Sequence, residues 1–242
     1  MYDLVLFDLD GTLIDTAPDI ADAVNRVLAD RGLRRRSAAW VRDRIGNGSR
    51  ALLVEAHANS PDAATVAALM DEFAGAYAKT CGKRGRLFPE AATVLSTLRN
   101  AGVRLALLTN KEERYVRFLL EVHGLDSDFD TQVCGDTLAV KKPDPKVVHH
   151  CLRAFAVPKH RALLVGDSSI DVATARAAGI AVWAVNYGYN HGKPIADSRP
   201  DRIIASLSEV LEPFARRITA VAGPQPPRAS SSSLYLRSNP RN

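Results

Sequence analysis

Leu4-Val5-Leu6-Phe7-Asp8-Leu9-Asp10-Gly11-Thr12 is the stretch on which the reading of this chain turns. Four consecutive apolar residues suit a strand buried on both faces, as in a parallel sheet. The run ends on aspartates two positions apart, so in extended backbone Asp8 and Asp10 face one site while Leu9 packs behind them. Carboxylates this close repel, and burying them without a cation is costly. A hard divalent metal relieves the repulsion. Magnesium, which takes oxygen ligands, few carboxylates and a substrate phosphate, suits the pattern. Gly11 allows a tight turn with backbone close to a ligand, and Thr12 offers a hydroxyl or amide donor. Alone, the segment also fits an Asx-type turn closing a strand.

Outward from it, short apolar runs at 103–108, 162–165 and 180–185 read as further buried parallel strands. Helical patterns separate them: Ala91, Val94, Leu95 and Leu98 fall at i, i+3, i+4 and i+7, and Val148, Cys151, Leu152 and Phe155 repeat that spacing. Val116, Leu119 and Leu120 mark another amphipathic helix. Such alternation predicts a doubly wound, Rossmann-like α/β fold with ligands beyond the carboxyl ends of the strands. One interval breaks it. Residues 15–87 contain helical faces, among them Ile20, Val24, Val27 and Leu28, and are expected to form an inserted α-helical cap. The core is then 1–14 with 88–222, and 223–242 is expected to be a disordered tail.

The other strand ends carry groups that complement the aspartates. The 103–108 run leads into Thr109-Asn110, and the 162–165 run into Gly166-Asp167-Ser168-Ser169-Ile170-Asp171. Thr109 suits a phosphoryl oxygen, Asp167 completes a metal site with Asp8 and Asp10, and Asp171 supports its orientation. Lys142, in Lys141-Lys142-Pro143-Asp144-Pro145, sits before a helix where an ammonium offsets the carboxylates and holds phosphate as a point charge. Lys141 beside it is expected to be solvated. Singly, Thr109 reads as a strand terminator, Asp167 as a helix cap and Lys142 as a surface lysine. Together they deliver complementary groups to one sheet edge.

The formal charge of +5 does not imply nucleic acid, because Arg228, Arg237 and Arg241 lie in the acid-free stretch 223–242, and without them the balance is +2. Arg34 to Arg36 lack interleaved aromatics and read as a solvated helix end or loop. No nucleic-acid groove is expected. Cys81, Cys134 and Cys151 are odd in number and scattered, which points to reduced thiols in a cytoplasmic setting. Acidic residues at Asp3, Asp8 and Asp10 argue against a signal peptide, and no apolar run approaches a membrane span.

Asp8-Leu9-Asp10-Gly11-Thr12, Thr109-Asn110, Lys142-Pro143 and Gly166-Asp167 with Asp171 resemble the four ordered motifs of the haloacid dehalogenase-like hydrolases. The resemblance spans nearly all of residues 3–212. It implies that Asp8 is a nucleophile and Asp10 a general acid/base. It further implies that Thr109 and Lys142 bind phosphate, and that Asp8, the Asp10 carbonyl and Asp167 hold magnesium. A helical insertion directly after the first motif is similar to the small-cap subgroup. Within it, Ile45-Gly46-Asn47-Gly48, Leu108-Thr109-Asn110-Lys111 and Tyr187-Gly188-Tyr189-Asn190 resemble phosphoglycolate phosphatases. Two positions depart from that pattern: Glu90 where glycine is usual, and Cys134-Gly135-Asp136 in place of Gly-Gly-Asp.

The resemblance implies hydrolysis of a small phosphate ester, 2-phosphoglycolate, to glycolate and phosphate through an aspartyl phosphate on Asp8, with Asn47 and Gly48 contacting substrate from the cap. Asp10 separates this chain from carbon-attacking dehalogenases. A sugar phosphomutase would keep every core residue named, and a non-catalytic phosphate or metal sensor is the alternative of a different class. Gly46-Asn47-Gly48-Ser49-Arg50-Ala51 also matches a dinucleotide fingerprint formally, but residues 40–45 before it are charged and helix-like instead of a buried strand.

Overall fold

The computed structural model describes residues 1–57 and 60–222, so the expectation for residues 223–242 lies outside the described residues. Strand β1 (Leu4–Phe7) leads into a two-residue strand, β2 (Ile14–Asp15), and then into α1 (Ala17–Asp30), α2 (Ala38–Arg42), α3 (Ser49–His57) and α4 (Ala63–Thr80). A second two-residue strand, β3 (Arg86–Leu87), brings the chain back. From there helices and strands alternate: α5 (Ala91–Asn100), β4 (Arg104–Leu108), α6 (Glu113–His123), β5 (Thr131–Val133), α7 (Lys146–Ala154), β6 (Ala162–Gly166), α8 (Ser169–Ala178) and β7 (Ala181–Val185). An edge strand, β8 (Arg202–Ile204), and helix α9 (Ala215–Ala222) complete the described chain.

Six strands form one parallel sheet in the order β5-β4-β1-β6-β7-β8. Because successive strand side chains point to opposite faces, β1 feeds two cores. Val5 and Phe7 pack with Val94, Leu95 and Leu98 of α5 and Val116 and Leu119 of α6. Leu4 and Leu6 pack with Val147, Val148 and Cys151 of α7 and Val172 and Ala175 of α8. All four β1 residues are fully buried, so a leucine-to-alanine change here costs about 2–5 kcal/mol. Phe7 pairs with Leu107 on one side and Val165 on the other. The residues that follow on all three strands therefore emerge together at the carboxyl edge, where the winding of the sheet reverses.

The long apolar stretches were readable as strands, but β5 and β8 were not anticipated. Both are three-residue edge strands carrying polar or half-exposed side chains, Thr131 and Gln132 in one and Arg202 in the other. The segment expected to lack strands contains β2 and β3, antiparallel, with Ile14 opposite Leu87 and Asp15 opposite Arg86. Between them α1 and α4 pack along each other, burying Val24, Val27 and Leu28 of α1 and Leu69, Phe73 and Tyr77 of α4. Asp19 ties the return of the chain to α1: its buried carboxylate accepts from the amides of Gly82 (2.8 Å), Arg84 (2.7 Å) and Gly85 (3.1 Å). Arg36 of the basic run donates to the Ala56 carbonyl at 2.9 Å, while Arg34 and Arg35 are exposed.

Cys81, Cys134 and Cys151 are buried, unpaired thiols. Among the described residues no helix is long and apolar enough to cross a membrane.

Candidate active site

Asp8, first after β1, is buried, and its Oδ1 lies 2.8 Å from Nζ of Lys142. The same ammonium reaches Oδ1 of Asp171 at 2.6 Å. The other Asp171 oxygen accepts from the Ser168 amide (3.1 Å) and hydroxyl (2.7 Å) and the Asp167 amide (3.3 Å). Ser168 and Asp171 form a reciprocal capping box at the start of α8, so the helix terminus that orders Asp171 also aims it at Lys142. Ser168, and not Asp167, is the cap.

Asp167 accepts from the Tyr189 amide at 2.7 Å and from the Thr12 hydroxyl at 3.4 Å. Carboxylate oxygens of Asp8, Asp167 and Asp171 all lie within 4.8 Å of one another. Glycines permit this crowding. A Cβ on Gly11, whose φ is +90°, would stand 2.2 Å from Asp167 Oδ2, and one on Gly188 would stand 2.1 Å from Asp167 Cβ.

Burial raises the Asp8 carboxyl to about 7 even against the pull of Lys142, with Asp171 and Asp10 adding to the rise. Burial, then Asp171 and Asp8, push Asp167 well above the usual carboxylate range. For Lys142 burial works against the charge, but Asp171 and Asp8 outweigh it and hold the ammonium above its ordinary value. The cluster is short of positive charge. That deficit, and a donor set made of oxygens, fit a hard divalent cation.

The Asp10 carboxylate is engaged elsewhere. Lys111 Nζ contacts its two oxygens at 2.9 and 3.1 Å, and Thr16 Oγ1 donates to it at 2.5 Å. Lys111 is itself buried and stands 5.0 Å from the Tyr77 ring centroid. Lys111 stands in the Leu108-Thr109-Asn110-Lys111 motif, and nothing in the sequence alone places its side chain at the site. Its neighbourhood with Thr109 and Asn110 was the available signal; its partner lies 101 positions away.

A cavity of about 60 Å³ joins these groups. Asp8, Asp10, Thr109, Asn110, Lys142 and Asp167 line it from the sheet edge, with Lys111 and Glu112 beside them. Ile20, Ile45, Gly46, Gly48, Leu52, Phe73 and Tyr77 line it from the helical segment. Gly11 and Thr12 stand behind the lining, with the Thr12 hydroxyl turned to Asp167. Asn110 is a brace: it accepts from the Lys142 amide (2.9 Å) and donates to the carbonyls of Lys142 (3.0 Å) and Gly46 (2.9 Å). Asn47 is not in the lining; its carbonyl accepts from Lys141 Nζ at 2.8 Å. Lys141 thus reaches across to the helical segment, and Ser49 Oγ makes a third crossing to Glu112 at 2.6 Å.

Residues 5–185 match the family model of the haloacid dehalogenase-like hydrolases. A phosphoglycolate phosphatase of Pseudomonas fluorescens Pf-5 is 40% identical over 88% of this chain and 81% of its own length. One of Vibrio cholerae is 38% identical over 86% of this chain and 95% of its own. The crystal structure of a predicted phosphoglycolate phosphatase from Haemophilus somnus superposes with a TM-score of 0.83 at 31% identity, covering 88% of this chain and 98% of that one. Fold, motif order and relatives agree, and the chain belongs to the haloacid dehalogenase-like hydrolase family, among relatives named phosphoglycolate phosphatases.

Proposed function

We propose that this chain hydrolyses 2-phosphoglycolate to glycolate and phosphate, with Asp8 as the nucleophile. One observation carries the reading: a buried carboxylate at the end of β1 is held by Lys142 inside a small cavity that Thr109 and Asp167 also line. The names of the relatives support the substrate, and a cavity of about 60 Å³ suits a two-carbon ester better than a nucleotide.

In the proposed reaction an Asp8 oxygen attacks phosphorus as the ester oxygen departs, giving an aspartyl phosphate and an alkoxide that takes a proton from Asp10. Asp10, now a base, removes a proton from the water that attacks the phosphorus and frees Asp8. Lys142 and the Thr109 hydroxyl hold the phosphoryl oxygens. Magnesium would be held by Asp8, Asp167 and the Asp10 backbone carbonyl, with Asp171 orienting Lys142. When bound, the ion supplies charge neutralisation that lets one anion approach another. Residues 1–14 and 88–222 act as the catalytic core and 15–87 as a cap that limits entry of water. The three unpaired thiols favour a reducing, cytoplasmic setting.

Phosphate release across a panel of 2-phosphoglycolate, sugar phosphates, nucleotides and pyrophosphate tests this. The highest kcat/KM is expected on 2-phosphoglycolate with magnesium. Transfer between sugar hydroxyls without release of phosphate would indicate a mutase instead, and no turnover of any ester would end the enzyme reading.

A further inference from the structure

Among the described residues lining the cavity, the cations are Lys111 and Lys142, set against the acids Asp8, Asp10, Glu112 and Asp167. They hold different partners. Lys142 is committed to Asp8 and Asp171, where the phosphoryl group would sit. Lys111 lies toward the helical segment, beneath the face of Tyr77, and pairs with Asp10. Ile20, Leu52 and Phe73 are among the apolar residues lining the same cavity, and the carboxylates of Asp10, in contact with Lys111, and of Glu112, next to it in the chain, line it too. A substrate carrying a second negative charge away from its phosphate would meet repulsion from these carboxylates unless Lys111 answered it.

The geometry points to Lys111 as the residue that selects the substrate's tail: it binds the carboxylate of the ester and so makes this cavity specific for small phosphates bearing a second anionic group. The inference rests on the phosphatase reading and adds the residue that recognises the non-reacting end. An ammonium has three donors, and Asp10 does not use them all. A charge-assisted bond to a buried ammonium is stronger than the same bond in water. Removing Lys111 leaves Asp10 and Glu112 facing the tail without a cation, so a charged tail loses more than a neutral one.

The test compares 2-phosphoglycolate with 2-hydroxyethyl phosphate, which replaces the carboxylate by an uncharged CH₂OH. Wild type is expected to favour the carboxylate by about tenfold or more in kcat/KM, and Lys111→Met to lower the carboxylate substrate a further ~10²-fold beyond its loss on the neutral one. Lys111→Arg should restore much of the preference. Equal losses on both esters would make Lys111 only a positioning residue for Asp10 and overturn the inference, as would a wild type indifferent to the carboxylate. Lys111→Gln, uncharged and polar, carries the same comparison if the methionine variant does not fold. Calorimetric affinities for the two esters in Asp8→Asn protein, with and without Lys111→Met, read the same ratio without turnover. A carboxylate preference in binding that depends on Lys111, with no phosphate released by wild type, would sustain this inference while removing the phosphatase reading.

Discussion

The two walls of the cavity are built from different materials. On the sheet side most lining groups are polar or charged, Ile170 being the apolar exception, and several are locked by partners: Asp8 by Lys142, Asp167 by the Tyr189 amide, Asn110 by both peptide groups of Lys142. On the helical side the lining is mostly hydrocarbon, with Gly46, Gly48 and Ser49 as the exceptions. Hydrogen bonds cross between the two sides, among them Asn110 to Gly46, Lys141 to Asn47 and Ser49 to Glu112. On the proposed reading the phosphoryl chemistry and the tail-binding Lys111 both lie on the sheet side, and the helical wall shapes the space around the substrate.

The sharpest way to break this division is to remove the nucleophile. Asp8→Asn should lower phosphate release by about 10⁴-fold or more and leave no phosphoenzyme in rapid-quench trapping. Asp10→Asn should cost about 10²–10⁴-fold, the range for lost acid/base catalysis, while a phosphoenzyme still forms. Normal steady-state rates in Asp8→Asn would sink the covalent route.

Charge on the sheet side should also make it the pH-sensitive half of the molecule. The folded state holds the Asp8 carboxyl up at about 7, and Asp167 is raised as well, against an ordinary value of 3.8. Carboxyls raised on folding stabilise fully below the ordinary value and lose that contribution as pH climbs through the folded one. The chelator-treated protein should therefore melt at progressively lower temperature as pH rises from about 4 to about 7. Added magnesium should recover most at the top of that window. A melting temperature of the metal-free protein that rises over the same range would contradict the assignment.

On the other wall, Gly48 has φ +91° and a Cβ there would lie 3.0 Å from Lys141 Nζ. Gly48→Val should lower kcat/KM on 2-phosphoglycolate about tenfold more than on a generic aryl phosphate, which depends less on this wall. Equal losses on both would indicate a disturbed fold. The mildest change is Ser49→Ala, which deletes one partly buried hydrogen bond worth about 1 kcal/mol and should raise KM only a few-fold with kcat retained.

Much of the sheet-side wall was legible because buried parallel strands announce themselves as unbroken apolar runs and their ends carry the polar groups. Asp8, Thr109, Asp167 and Asp171 follow from the strand ends, and Lys142, which lies before a helix, joins them through the resemblance to the four ordered motifs. Side-chain direction could not. Nothing in the sequence shows that Thr12 turns to Asp167, that Asn110 braces a loop, or that Lys141 bonds Asn47 across the two sides. Glu90 is instructive in another way. It departs from the expected glycine yet keeps the left-handed backbone that glycine favours, with φ +67°. Its carboxylate accepts from Ser206 and Ser208.

The paired strands β2 and β3 give the helical segment a common doorway. The chain leaves the sheet layer at Ile14–Asp15 and re-enters at Arg86–Leu87, and paired strands lie only about 5 Å apart. A segment whose two ends are that close is a cassette. Cuts at these two strands would let the helical half of one relative be transplanted onto the sheet of another with little loop-closure entropy at stake. On the proposed reading such chimeras would keep their recipient's chemistry and its Lys111, and take from the donor the contacts that the helical wall makes with substrate.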